Sequence, residues 1–197
     1  MKKILLSTLA LYTLFSTYSG ADEITEQLNI AIKAYQEKDY KGAMDELRFV
    51  TAQLQKLDAA ENQKLLPAPL DGWNIENKSD TQAVMSMLGG AGTSMEAVYT
   101  KDTQRVNIQI VANSPMIAMM SMAISNPALM AADPSTKPFR YKKNKGMKRK
   151  EGSSSEITLL IAGQILLKLE GSDLLDDTVL VQYLDAIDIK KLKTELL

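Results

Sequence analysis

Apolar residues recur every three or four positions from Ile24 to Leu57, a spacing that predicts two helices. In the first, Ile24, Leu28, Ala31, Ile32 and Tyr35 share a face that ends near Glu37-Lys38-Asp39. In the second, Ala43, Leu47, Val50, Leu54 and Leu57 do the same. Beyond Leu65 the period changes. The prolines of Leu65-Leu66-Pro67-Ala68-Pro69-Leu70-Asp71-Gly72-Trp73 exclude a helix and a central strand, so the segment reads as an extended connector or edge. Trp73, the only tryptophan, is expected to anchor the core beside it. Val106, Ile108 and Ile110 alternate with Asn107 and Gln109, which predicts a half-buried antiparallel strand over residues 105–112. It pairs with a strand over residues 94–100 through a Lys101-Asp102-Thr103 turn. Ser114 and Pro115 supply an N-cap and a first-turn proline for a helix from Met116 to about Ser125. Asn126-Pro127 interrupts it, and residues 128–132 are expected to add a further turn.

The last third reads as strands. Residues 139–143 and 147–150 flank an Asn144-Lys145-Gly146 turn, and residues 157–162 and 165–169 flank Gly163-Gln164. Ser153-Ser154-Ser155 reads as a flexible turn. A closing helix begins at Asp177-Thr178 and buries Val179, Leu180, Tyr183, Leu184 and Ile187, and Asp188 caps a last turn through Leu192. Strands joined by short turns, without helix–strand alternation, argue for an α+β chain. A helical hairpin over residues 22–62 precedes an antiparallel sheet with packed helices over residues 65–197.

Composition narrows the chemistry. The chain has 197 residues, a formal net charge of -1, no histidine and no cysteine. Disulfides, thiol nucleophiles, the usual zinc ligands and the commonest general base are therefore excluded, and no overall field favours nucleic acid. No serine sits in a nucleophile elbow or a Ser-x-x-Lys element, so a non-enzyme is expected. Lys2 and Lys3, the apolar run Ile4 to Phe15, and the small residues Ser19 and Ala21 form the pattern of a signal peptide over residues 1–21. The expectation is a periplasmic or secreted protein with no transmembrane span after cleavage before Asp22.

Two resemblances bear on architecture. The segment Ala34 to Leu47, with Asp39-Tyr40-Lys41-Gly42-Ala43, resembles the middle of one tetratricopeptide unit, and no second copy follows. A lone unit cannot bury its own face, which implies docking on the rest of the chain or on a partner. The run Leu66 to Trp73, Tyr99, Val106 to Ile110, Asn113-Ser114-Pro115-Met116 and Tyr183-Leu184-Asp185-Ala186-Ile187-Asp188 resembles exported bacterial proteins of unknown function. The plan is also similar to the domain of the photosystem accessory protein PsbP and its relatives. That likeness implies a binding or accessory role and lends no catalytic residue.

Two features carry candidate chemistry. Eight of the eleven methionines lie between Met85 and Met130. Met116, Met119 and Met120 have i, i+3, i+4 spacing on a helix, while Met122 points elsewhere, and thioethers are soft ligands suited to Cu(I). The same helix could be core, because methionine fills gaps, or a pliable surface for a protein or lipid, because no charge occurs from Pro115 to Ala132. The second feature is the basic run Arg140, Lys142, Lys143, Lys145, Lys148, Arg149 and Lys150. It could meet an anionic lipid, a glycan or an acidic envelope protein, or serve as a solvated strand edge. Gly89, Gly90 and Gly92 lack the context of a phosphate loop, and Asp173, Asp176 and Asp177 suit a helix start. A self-associating structural protein is the remaining alternative.

Overall fold

A computed structural model describes residues 19–77, 92–126, 128 and 133–197. It divides into two compact units, residues 1–56 and residues 57–197. In the first unit, helix α1 (Ser19–Gln36) turns at Lys38 into helix α2 (Tyr40–Gln63), whose last turns belong to the second. The small side chains of Ala31 and Ala43 are buried, as is Val50. The flanking Leu28, Ile32, Tyr35, Leu47, Leu54 and Leu57 are exposed on this unit.

The second unit is α+β. Its strands are β1 (Asn74–Asn77), β2 (Thr93–Lys101), β3 (Gln104–Ala112), β4 (Thr136–Tyr141), β5 (Asn144–Glu151), β6 (Ser154–Ile161) and β7 (Ile165–Ser172). They form one sheet in the order β1-β2-β3-β7-β6-β5-β4, with every neighbouring pair antiparallel. Helix α3 (Pro115–Ser125) precedes the move from β3 to the far edge, β4, while α4 (Thr178–Ala186) and α5 (Ile189–Leu196) close the chain. Ser114 Oγ accepts a hydrogen bond from the Met116 amide and Pro115 opens α3, as the sequence predicts. Asp188 likewise caps α5 by accepting from the Lys191 amide at 2.9 Å.

Period-two alternation gives the sheet two unlike faces. On one, Val106, Ile108 and Ile110 of β3 meet Ile157 and Leu159 of β6 and Leu167 and Leu169 of β7, beneath Leu180, Tyr183 and Leu184 of α4 and Leu192 of α5. Each large aliphatic side chain withdrawn there contributes about 1.5–3 kcal/mol. Trp73 anchors the connector, packing edge-on against Tyr183 with ring centroids 5.7 Å apart. The other face is mostly polar and carries α3 at one end only. Strand β1 forms although Asn-Ile-Glu-Asn has little strand character. Ser154 and Ser155, expected in a turn, begin β6.

Candidate functional site

The β4–β5 hairpin is built differently from its sequence signal. Arg140 pairs with Lys145 and Tyr141 with Asn144, so the turn is Lys142-Lys143 rather than Asn144-Lys145-Gly146. Both lysines take left-handed backbone, at φ 44° and 70°. Asn144 closes this turn from the strand side, its Nδ2 donating to the carbonyls of Tyr141 (3.3 Å) and Lys142 (3.2 Å). Gly146 lies inside β5 because a Cβ there would collide with the Thr158 carbonyl oxygen on β6.

Strand alternation then divides the seven cations. Lys148 and Lys150 face the start of α4, with their Nζ atoms 3.8 and 2.9 Å from Asp177 Oδ2. Ser155 Oγ donates to the other Asp177 oxygen at 2.8 Å. The Lys150 hydrogen bond, and then that of Ser155, hold the Asp177 carboxyl below the usual carboxylate range. Asp177 thus spends its side chain on tertiary contacts and makes no capping bond. Arg149, on the opposite face, reaches Glu151 at 2.8 Å and Asp133 at 3.6 Å. Lys142 lies 3.9 Å from Asp185 and 4.8 Å from the centre of the Tyr141 ring. Contact with the Tyr141 hydroxyl raises its pKa above the ordinary lysine value.

Arg140, Lys143 and Lys145 remain. All three are exposed, and among the described residues none has a carboxylate partner. Arg140 and Lys145 are also direct cross-strand partners, an arrangement of like charges that costs stability.

Helix α3 borders this pair. Its Ile117 and Ile124 pack on Val111 and Leu166, joined by Met120, Met147 and Leu160. Lys145 stands two residues before Met147 on one face of β5 and pairs with Leu160 of β6, so the Arg140–Lys145 pair flanks this cluster on the same side of the sheet. Met116, Met119 and Met122 turn outward, at 44%, 74% and 72% exposure. The isoleucines, two helical turns apart, decide which side faces in, and they take Met120 with them. Of the expected trio, Met116 and Met119 are therefore solvent-facing while Met120 packs, partly buried, against the core. Met122, read as pointing elsewhere, belongs to the exposed ridge. Met85, Met87, Met130, Gly89 and Gly90 lie outside the described residues.

Elsewhere on the polar face Lys168 meets two carboxylates. Lys168 Nζ lies 3.3 Å from Glu156 and 2.5 Å from Glu170. Burial pulls its pKa down, but the Glu170 hydrogen bond and the charge of Glu156 outweigh it and leave the value raised. A cavity of about 310 Å³ beside Arg105, Asn107, Glu156 and Glu170 is floored by these residues. Asp176 accepts from the Thr178 amide and hydroxyl at 2.9 and 2.6 Å, and that hydroxyl bond, then the amide's, lowers its pKa. In the first unit, Leu28, Ile32, Tyr35, Tyr40, Met44 and Leu47 line an apolar groove of about 460 Å³. Among the described residues no group of three acidic side chains is placed to hold a metal, and no helix is long and apolar enough to cross a membrane.

No protein-family model, curated protein or solved structure matches the chain, so the site is read from its own geometry. Sequence reasoning found the basic run but not its division. The missing signals were Asp177 and Asp185, which stand in the C-terminal helical segment and neutralise cations far away in sequence.

Proposed function

We propose that this chain is an exported, non-catalytic binding protein that holds an anionic surface at the tip of the β4–β5 hairpin. The observation that carries this reading is the set of unpartnered cations, with Arg140 placed opposite Lys145 at a cost to the fold. Structural cations in the same run have carboxylates to meet, and among the described residues these three do not. The N-terminal pattern of Lys2, Lys3 and Ile4 to Phe15 supports export, and the lack of histidine and cysteine supports a role without catalysis. Retention on dextran sulfate resin tests the charge reading. The protein should elute at higher salt than an Arg140→Ser/Lys143→Ser/Lys145→Ser variant, because exposed charges are screened within a Debye length. Identical elution of the two would remove the reading.

The hairpin groove favours a second reading, self-association. Tetratricopeptide units stack on units of their own kind, and the segment Ala34 to Leu47 resembles one, which supports a second copy as the cover for Tyr35, Tyr40 and Met44. Sedimentation equilibrium should then show a dimer that Tyr35→Ser/Tyr40→Ser abolishes. A monomer at all concentrations would end this reading without touching the first.

A further inference from the structure

Resting on the anionic-surface reading, we infer that the surface is an anionic phospholipid bilayer, met edgewise by α3 and the hairpin tip together. A glycan would need charge alone. The site offers charge beside an apolar ridge: Met116, Met119 and Met122, one turn apart, stand out from a helix with no ionisable side chain, on the sheet face that carries Arg140 and Lys145. Helix α3 has 11 residues, about 16 Å, too short to cross a bilayer and suited to lying in its plane. Unbranched methionines can enter the acyl boundary without a fixed shape to match. Long Arg140 and Lys145 side chains keep their charged ends at headgroup level while their stems lie along apolar surface. Lys143, at the turn, extends the cationic rim. An uncharged, methionine-bearing outer face is a liability in water. At a headgroup boundary it becomes the part that enters.

The test uses the purified full chain with vesicles of phosphatidylglycerol and of phosphatidylcholine. Because Ile4 to Phe15 could itself hold a bilayer, a local readout accompanies sedimentation: peroxide oxidation of Met119 and Met122, followed by mass spectrometry. Partition should favour phosphatidylglycerol and fall about fivefold for each of Arg140, Lys143 and Lys145 changed to serine. It should also fall in Met119→Ser/Met122→Ser, and both methionines should be protected by these vesicles but not by dextran sulfate. Suppose instead that the methionine variant binds as wild type and Met119 and Met122 oxidise equally fast with and without vesicles, while dextran sulfate still retains the protein. The bilayer proposal then falls and the charge reading stands. Loss of retention on both phosphatidylglycerol and dextran sulfate overturns both.

Discussion

The Tyr99 hydroxyl donates a 2.6 Å hydrogen bond to the carbonyl oxygen of Pro67, tying the proline connector to β2. The Tyr183 hydroxyl accepts from the Leu70 amide at 3.5 Å, and the two tyrosine rings sit 4.5 Å apart. Proline has no amide hydrogen to pair with a strand, so side chains fasten this segment instead. Tyr99→Phe would leave the Pro67 carbonyl without its partner, and should lower unfolding stability by about 1–3 kcal/mol in denaturant titration. A loss too small to measure would show that the connector is held by Trp73 and Leu65 packing alone.

Alkaline titration probes the same pair. Burial pushes Tyr183 up to about 12 and raises Tyr99 as well, with the neighbouring Tyr183 adding to the latter. A folded pKa above the unfolded value means stability that is complete below about pH 10 and lost as pH rises toward the folded pKa. At about 1.4 kcal/mol per unit, Tyr183 accounts for roughly 2–3 kcal/mol of that loss. Melting temperature should therefore fall from about pH 10 upward, and less so in Tyr183→Phe. A flat profile to pH 12 in the wild type would contradict the assignment.

The acidic side runs the other way. Asp177 is held low by Lys150 and Ser155, so its contribution is present above the ordinary aspartate pKa and disappears as pH falls through its folded value. Asp177→Asn should flatten the acid limb of the stability curve while lowering stability at neutral pH. An unchanged acid limb would show that the three-way contact is not formed in solution.

Much of the fold was legible because local signals agreed with it: Ser114-Pro115 opens a helix, Asp188 caps one, and Val106-Ile108-Ile110 alternate into the core. The β4–β5 turn was not, because its two strongest turn residues serve other ends. Asn144 closes the turn by side-chain bonds from the first position of β5, and Gly146 is there for the passing Thr158 carbonyl. Asp177 behaves in the same way, since its cap-like position is overridden by cations from β5. The candidate site was legible as a basic run and a methionine helix. Which cations stay unpartnered, and which methionines face out, depends on pairings distant in the chain.

Gly146 gives a strict packing test. Gly146→Ala should lower stability by about 1–3 kcal/mol, since the new methyl meets backbone oxygen that cannot rotate aside. Equal stability in thermal unfolding would mean that β5 can move away from β6.

The turn itself sets stability against binding. Lys142 and Lys143 occupy left-handed positions that Asn-Gly takes at lower cost, so Lys142→Asn/Lys143→Gly should stabilise the protein by about 1 kcal/mol. The same change removes Lys143 from the tip and should weaken retention on dextran sulfate. Stabilisation with undiminished retention would exclude Lys143 from the binding surface.

The central claim is that position, not net charge, makes these cations a site. Two variants that each remove three positive charges decide it: Arg140→Ser/Lys143→Ser/Lys145→Ser at the tip, and Lys148→Ser/Arg149→Ser/Lys150→Ser among the carboxylates. Partition onto phosphatidylglycerol vesicles should drop on the order of a hundredfold in the first, at about fivefold per charge. The second should keep most of its binding and melt at a lower temperature. Equal loss of binding in both variants would contradict the account.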